Sequence, residues 1–205
     1  MTENNTKLTK LQLIIGAVVL VIILFFVFSK KPAIEQTQHL QESNNKVVDS
    51  FTDRAFWKEF YSPVGKFKVT FPIYPTHTSD NISIPGTGLF IKFDRYSSEV
   101  SDALYAVNTS VYPPEVDVPK PETSLEASLN SMLASSDRFK LISSSLTYQN
   151  GYRALDYLIT NNEGGYFKGK IVATGPIIYQ VMSSYESKNY NEGNYNKFMN
   201  SFVIQ

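Results

Sequence analysis

The stretch GGYFKGKI, Gly164 to Ile171, lies one residue away from a phosphate-cradling loop. Such a loop ends in Lys-Ser or Lys-Thr, whose hydroxyl holds magnesium, and it runs from a strand into a helix. Here Ile171 replaces the hydroxyl, Tyr166 and Phe167 crowd the glycines, and a second strand follows, so a glycine hairpin explains the residues. His77 is the only histidine after residue 50, with Asp80 three positions on. A metal site needs several convergent ligands, and a base needs an oriented nucleophile; one His and one Asp on a strand read as a surface pair. Ser143-Ser144-Ser145 has no nucleophile elbow around it. The pairs Glu99/Asp102 and Glu115/Asp117 sit in polar loops, where nothing shifts a carboxyl toward acid–base work. The sequence therefore assigns no catalytic residue, cofactor or metal ligand, and the expectation is that the chain is not an enzyme.

One stretch suits binding. Tyr185, Tyr190 and Tyr195 are interleaved with asparagines, and aromatic faces beside amides fit glycans or extended peptides. Tyr185 and Tyr190 are the candidate ligand-binding residues. On the competing reading Tyr195 is core and the other two cap the last strand and loop.

The elements that would position these residues are β-rich. Phe67, Val69 and Phe71 alternate with Lys66, Lys68 and Thr70, the period of a half-buried strand. In LFIKFDRY, Leu89, Ile91 and Phe93 take one face, and Lys92 and Asp94 the other. Ala103, Tyr105, Val107, Thr109 and Val111 share a side. With a weaker strand near Thr76–Ile84 these make a first meander. Thr123 and Glu126 form a capping box ahead of Leu125, Leu129, Met132 and Leu133 at helical spacing. A second meander is punctuated by Asn150-Gly151, Gly164-Gly165 and Thr174-Gly175-Pro176, and a last helix carries Tyr195, Phe198, Met199 and Phe202. The predicted class is α+β: an antiparallel sheet of two meanders covered by two amphipathic helices.

Ahead of this domain, Leu11 to Phe28 contains Gln12 as its one polar residue and no charge. As a helix the run spans about 27 Å, close to a hydrocarbon core of about 30 Å. It is longer than a signal-peptide core, ends in bulky Phe25, Phe26 and Phe28, and shows no small-residue cleavage pattern. The expected organisation is a cytoplasmic tail (1–10), a transmembrane helix (11–28), a flexible tether (29–50) and an α+β domain (51–205). Lys7 and Lys10 nearly balance Lys30 and Lys31, and the short tail favours an extracytoplasmic domain. The residues after Lys31 carry a slight acidic excess, which gives no footprint for nucleic acid. With no cysteine in the chain, disulfides, thiolate metal sites and a lipid-attached cysteine are excluded.

FYSPVGKFKVTFPIYP, from Phe60 to Pro75, resembles the opening of PsbP-like domains and related bacterial envelope proteins, where a Ser-Pro-x-Gly turn leads into an aromatic strand ending Phe-Pro-x-x-Pro. The Gly-Tyr-Arg entry at Gly151, the two strands through GKIVATGPIIYQVMSSY and the Ser-Phe ending at Phe202 resemble their close. The likeness runs from about Phe56 to Phe202. It implies an antiparallel sheet sandwiched by helices, and an accessory or binding role without catalysis. Metal-binding histidines of some members have no counterpart here beyond His77. The expected function is a membrane-held, extracytoplasmic binding or accessory module. Its partners are the bilayer through Leu11–Phe28 and an envelope protein or glycan; the alternative is an envelope hydrolase or glycan-processing enzyme. An uncleaved anchor predicts that the mature chain keeps Met1 or Thr2 and stays in membranes through a carbonate wash. A mature N-terminus near Lys31 in mass spectrometry would end that expectation.

Overall fold

The computed structural model describes residues 57–100 and 103–205. The tail, the apolar run and the tether lie outside the described residues, as does Asp102. Among the described residues no helix is long and apolar enough to cross a membrane.

Alternation builds the first layer. In β2 (Phe67–Phe71) the side chains of Phe67, Val69 and Phe71 are fully buried, and those between are half-buried. β1 (Lys58–Ser62) pairs antiparallel along one side of β2, and the short β10 (Val203–Ile204) pairs along the other. This three-stranded sheet corrects the sequence expectation that Phe67–Phe71 belongs to the first meander. Pro72 and Pro75 interrupt the ladder after Phe71, and the chain crosses to a different sheet.

The larger sheet has seven strands. A meander of β3 (Thr76–Ser83), β4 (Phe90–Val100) and β5 (Ala103–Val111) is followed by a second of β6 (Lys140–Gln149), β7 (Tyr152–Thr160), β8 (Gly165–Ala173) and β9 (Ile177–Glu186). β5 pairs antiparallel with β9, from Ala103 opposite Tyr185 to Val111 opposite Ile177. The meanders thereby fuse in the order β3-β4-β5-β9-β8-β7-β6, leaving β3 and β6 as edges. Asn150 and Gly151 both adopt positive φ, 49° and 82°, the backbone of a type I′ turn, and set the β6–β7 register.

Each face of this sheet has its own core. Helix α1 (Pro121–Ala134) lays Leu125, Leu129 and Met132 on Leu155, Tyr157, Ile159 and Ile171. Ser124, Ser128 and Ser131 are also buried on α1, and the Ser128 hydroxyl is satisfied by donating to the Ser124 carbonyl at 2.8 Å. Such small residues let the helix approach the sheet closely. The predicted capping box does not form: Pro121 opens the helix at its first turn, so Thr123 already lies inside it, and no side chain caps the start. Glu122 pairs instead with Arg153 of β7, at 2.7 Å.

The opposite face is covered by the small sheet together with helix α2 (Glu192–Ser201). Phe198 and Phe202 are buried there, whereas Tyr195 and Met199 are only half-buried, and Phe202 sits just past the helix as its C-cap. Asn191 starts α2 by accepting a hydrogen bond from the Asn194 amide at 2.9 Å. The arrangement is thus helix, sheet, and a mixed third layer rather than one sheet between two helices.

Because Phe198 packs on Phe71 and Tyr105 at ring distances of 5.4 and 5.3 Å, Phe198→Ala should cost about 3–5 kcal/mol. Phe202→Ala should behave alike. Asn196→Ala, at an exposed position, should stay within about 0.5 kcal/mol. Thermal melts of a fragment from Asp49 onward check this, and equal small effects from all three would mean α2 is not part of the core.

Candidate functional site

The tyrosines converge at one end of the large sheet. Tyr166 of β8 lies opposite Tyr185 of β9, their rings stacked at 5.8 Å. The turn Ser187–Asn189 then brings Tyr190 back to within 4.5 Å of Tyr185, and Tyr195 of α2 completes the row at 6.2 Å from Tyr190. Lys168 of β8 donates to the Tyr190 hydroxyl at 2.8 Å and lies 4.3 Å from the Tyr195 ring centre. Burial comes first in pushing the Tyr185 phenol up to about 12, followed by the neighbouring Tyr190 and Tyr166 hydroxyls. Burial likewise raises Tyr195. Both phenols stay protonated at neutral pH, so they can donate hydrogen bonds but not act as bases.

Tyr185 is a buried core residue and Tyr190 is half-buried against the same core. The crevice between Tyr185, Tyr190 and Tyr195 has no space for a water molecule. What remains open is the far side of Tyr185, where a groove of about 340 Å³ runs over Leu104, Phe167 and Ser184. Its rim carries Glu99, Glu163 and Glu186, with Asn161 beside them. Arg138 pairs with Glu163, and Lys188 with Glu186 at 3.0 Å. The volume falls at the small end of ligand-binding clefts, and its chemistry is an apolar floor under an acidic rim. Sequence reading found Tyr185 but missed its chain neighbour Glu186, and Leu104 and Glu99, which the β5–β9 and β4–β5 pairings bring beside it.

His77 is placed differently from expectation. Its partner is Asp94 of β4, not Asp80: Nε2 lies 2.7 Å from Oδ1 of a carboxylate that is only 1 % exposed. The ring stacks on Tyr96 at 4.4 Å, nearly parallel, and the Tyr96 hydroxyl bonds to Ser62 Oγ at 2.9 Å. Asp80 instead accepts from the Asn81 amide. Asp94, expected on a solvent face with Lys92, is buried because the small sheet covers that side; Tyr96, two residues on, belongs to its core. The pairing is diagonal across β3 and β4, since His77 lies opposite Tyr96 and Ser79 opposite Asp94. Spacing within either strand carries no signal for it.

The other motifs resolve simply. Gly164, at φ 83°, turns β7 into β8, with the Asn161 side chain accepting from the Glu163 and Gly165 amides; the stretch is a hairpin. Ser143, Ser144 and Ser145 lie exposed on β6, and Glu115 and Asp117 are exposed after β5. Among the described residues no three His, Asp or Glu side chains converge to hold a metal ion.

The second Asp94 oxygen, Oδ2, is buried without a hydrogen bond, with Lys92 Nζ 3.9 Å away. Removing His77 would strip the carboxylate of the imidazole that hydrogen-bonds it, which typically costs about 1–3 kcal/mol. His77→Ala should therefore lower the thermal midpoint, whereas Thr78→Ala, exposed on the same strand, should change stability by less than about 0.5 kcal/mol. Equal midpoints for the two variants would show that the pair contributes nothing.

No protein-family model matches the chain, and no curated protein matches it. Among solved structures it is similar to the cyanobacterial PsbP protein CyanoP from Synechocystis, with a TM-score of 0.51 at 11% sequence identity, covering 81% of this chain and 99% of that one. A Pseudomonas aeruginosa protein of unknown function aligns at a TM-score of 0.32 and 10% identity, over 65% of this chain and 85% of that one. The likeness spans nearly the whole length of CyanoP: the chain has a PsbP-like fold.

Proposed function

We propose that this PsbP-like domain is a non-catalytic binding or accessory module, held outside the cytoplasm beside a bilayer by Leu11–Phe28. The observation that carries the reading is the groove bordered by Tyr185, with its apolar floor and three glutamates. A floor of Leu104 and Phe167 takes an apolar stem, and with Glu163 and Glu186 already paired to Arg138 and Lys188, Glu99 supplies the rim's negative charge for a cationic head, the combination offered by lysine or arginine side chains of a partner protein. A neutral glycan would gain less from that rim. Tyr190 supports the groove from behind by packing on Tyr185.

The His77–Asp94 pair favours a second reading, a hydrolase in which Asp94 orients the imidazole. It ranks below the first because, among the described residues, no hydroxyl bonds to His77 to serve as nucleophile.

Glu99 is exposed, so Glu99→Lys should leave the fold intact and still reverse the charge of the rim. Recovery of a cross-linked partner from native membranes should then fall about tenfold or more, the equivalent of about 1.4 kcal/mol. Undiminished recovery would remove the groove from the binding surface. Hydrolytic turnover lost in Asp94→Asn, with an unchanged thermal midpoint, would put the enzyme reading first.

A further inference from the structure

The two edges of the seven-stranded sheet are built differently. β3 reads THTSDNIS and exposes no large hydrophobic side chain. β6 reads KLISSSLTYQ, is exposed from Lys140 to Leu146, and presents Leu141, Ile142, Leu146 and Tyr148 at 41%, 51%, 48% and 60% exposure. Soluble proteins blunt an exposed edge with charges, proline or bulges, because its free backbone groups are a template for another strand. β6 has one charge, Lys140, and no proline. Its single bulge falls at Ile142, between Leu141 and Ser143, and leaves the serine run from Ser143 onward in regular pairing.

The sequence of β6 says what fits it. Around Ser144 the strand is close to a palindrome: Ser143 matches Ser145, and Ile142 matches Leu146. A twofold contact places residue i opposite j and j opposite i. Two copies of β6 running antiparallel about Ser144 would set Ser143 against Ser145 and bring Leu146 beside the bulged Ile142 of the other copy, small and apolar neighbours across the two strands. Lys140 of each would face Tyr148 of the other, whose ring already carries the Arg153 guanidinium 4.7 Å from its centre. The serines are small where the two backbones come closest, and the aliphatic side chains flank them on both sides.

We propose that β6 is a homodimerisation edge, pairing antiparallel with β6 of a second copy about a twofold axis at Ser144 and joining two seven-stranded sheets into one. The contact lies on the edge farthest from β3 and is independent of the groove beside Tyr185.

The chain contains no cysteine, so each single-cysteine variant carries one thiol. Ser144→Cys and, as a control on the opposite edge, Thr78→Cys are made in the full-length chain, kept in detergent because of Leu11–Phe28. Each is treated with a short bismaleimide. The control shares the apolar run, so dimers formed through that run appear equally in both. The expected result is a covalent dimer with Ser144→Cys at about tenfold the yield of Thr78→Cys, and its loss when Leu146→Lys is added, with the circular dichroism unchanged. Equal yields from the two cysteines would overturn the proposal. So would a Ser144→Cys dimer that survives Leu146→Lys, or a Ser144→Cys chain that cross-links only to a different protein.

Discussion

The fold depends on Phe67 being driven between two sheets. Its ring is fully buried and contacts Phe60, Tyr96, Tyr179 and Phe202 at centroid distances of 5.3 to 6.3 Å. Those five residues come from β1, β2, β4, β9 and the end of α2, so one ring position couples the small sheet, the large sheet and the C-terminus. The turn before it is shaped for that ring. A Cβ on Gly65 would lie 2.7 Å from the Phe67 ring and 2.9 Å from Ser62 Oγ, so only glycine lets the turn fold over it. The Gly65 amide donates to Ser62 Oγ, and the Gly65 carbonyl accepts from the Tyr179 hydroxyl at 2.9 Å. The Ser-Pro-x-Gly turn is thus a clasp between the layers, with Ser62 and Gly65 buried and Pro63 and Val64 exposed.

That clasp decides the fate of the polar groups beneath it. Covering one face of β4 with the small sheet buries Asp94 and Tyr96 and leaves His77, on the edge strand, to satisfy the carboxylate from the rim. Directly across from Asp94, Thr109 is fully buried as well. This polar strip lies inside a core otherwise made of aromatic and β-branched side chains. The His77–Asp94 contact can be read as structure before chemistry: a buried carboxylate needs a donor, and the nearest one reachable across the hairpin is an imidazole.

The opposite end of the sheet uses its aromatics for shape. Four tyrosines and Lys168 pack into a closed row on the face of Tyr105, whereas Leu104, Phe167 and Ser184, one residue out of phase, floor the groove on the opposite face. The recognition proposed at this end therefore rests on residues that are individually unremarkable, a leucine, a phenylalanine and glutamates from separate elements. The β6 edge is similar, because its serines mean nothing as nucleophiles and acquire significance only as the middle of an exposed strand.

The sequence by itself determined what local chemistry can encode. Period-2 alternation marked β2 and β5, Asn150-Gly151 required its tight turn, and the apolar spacings of α1 and α2 required a face to cover. The Ser-Pro-x-Gly and Phe-Pro-x-x-Pro stretches carried the PsbP-like resemblance because clasps and strand ends need particular residues at fixed offsets. Only the tertiary structure decided that β2 leaves the meander, that His77 meets Asp94, and that Glu99 and Leu104 lie beside Tyr185 and Glu186. Each of these depends on strands distant in sequence finding one register. Strand pairing is set by which faces can be buried together, and a single strand's side-chain period is the same whichever neighbour it finds.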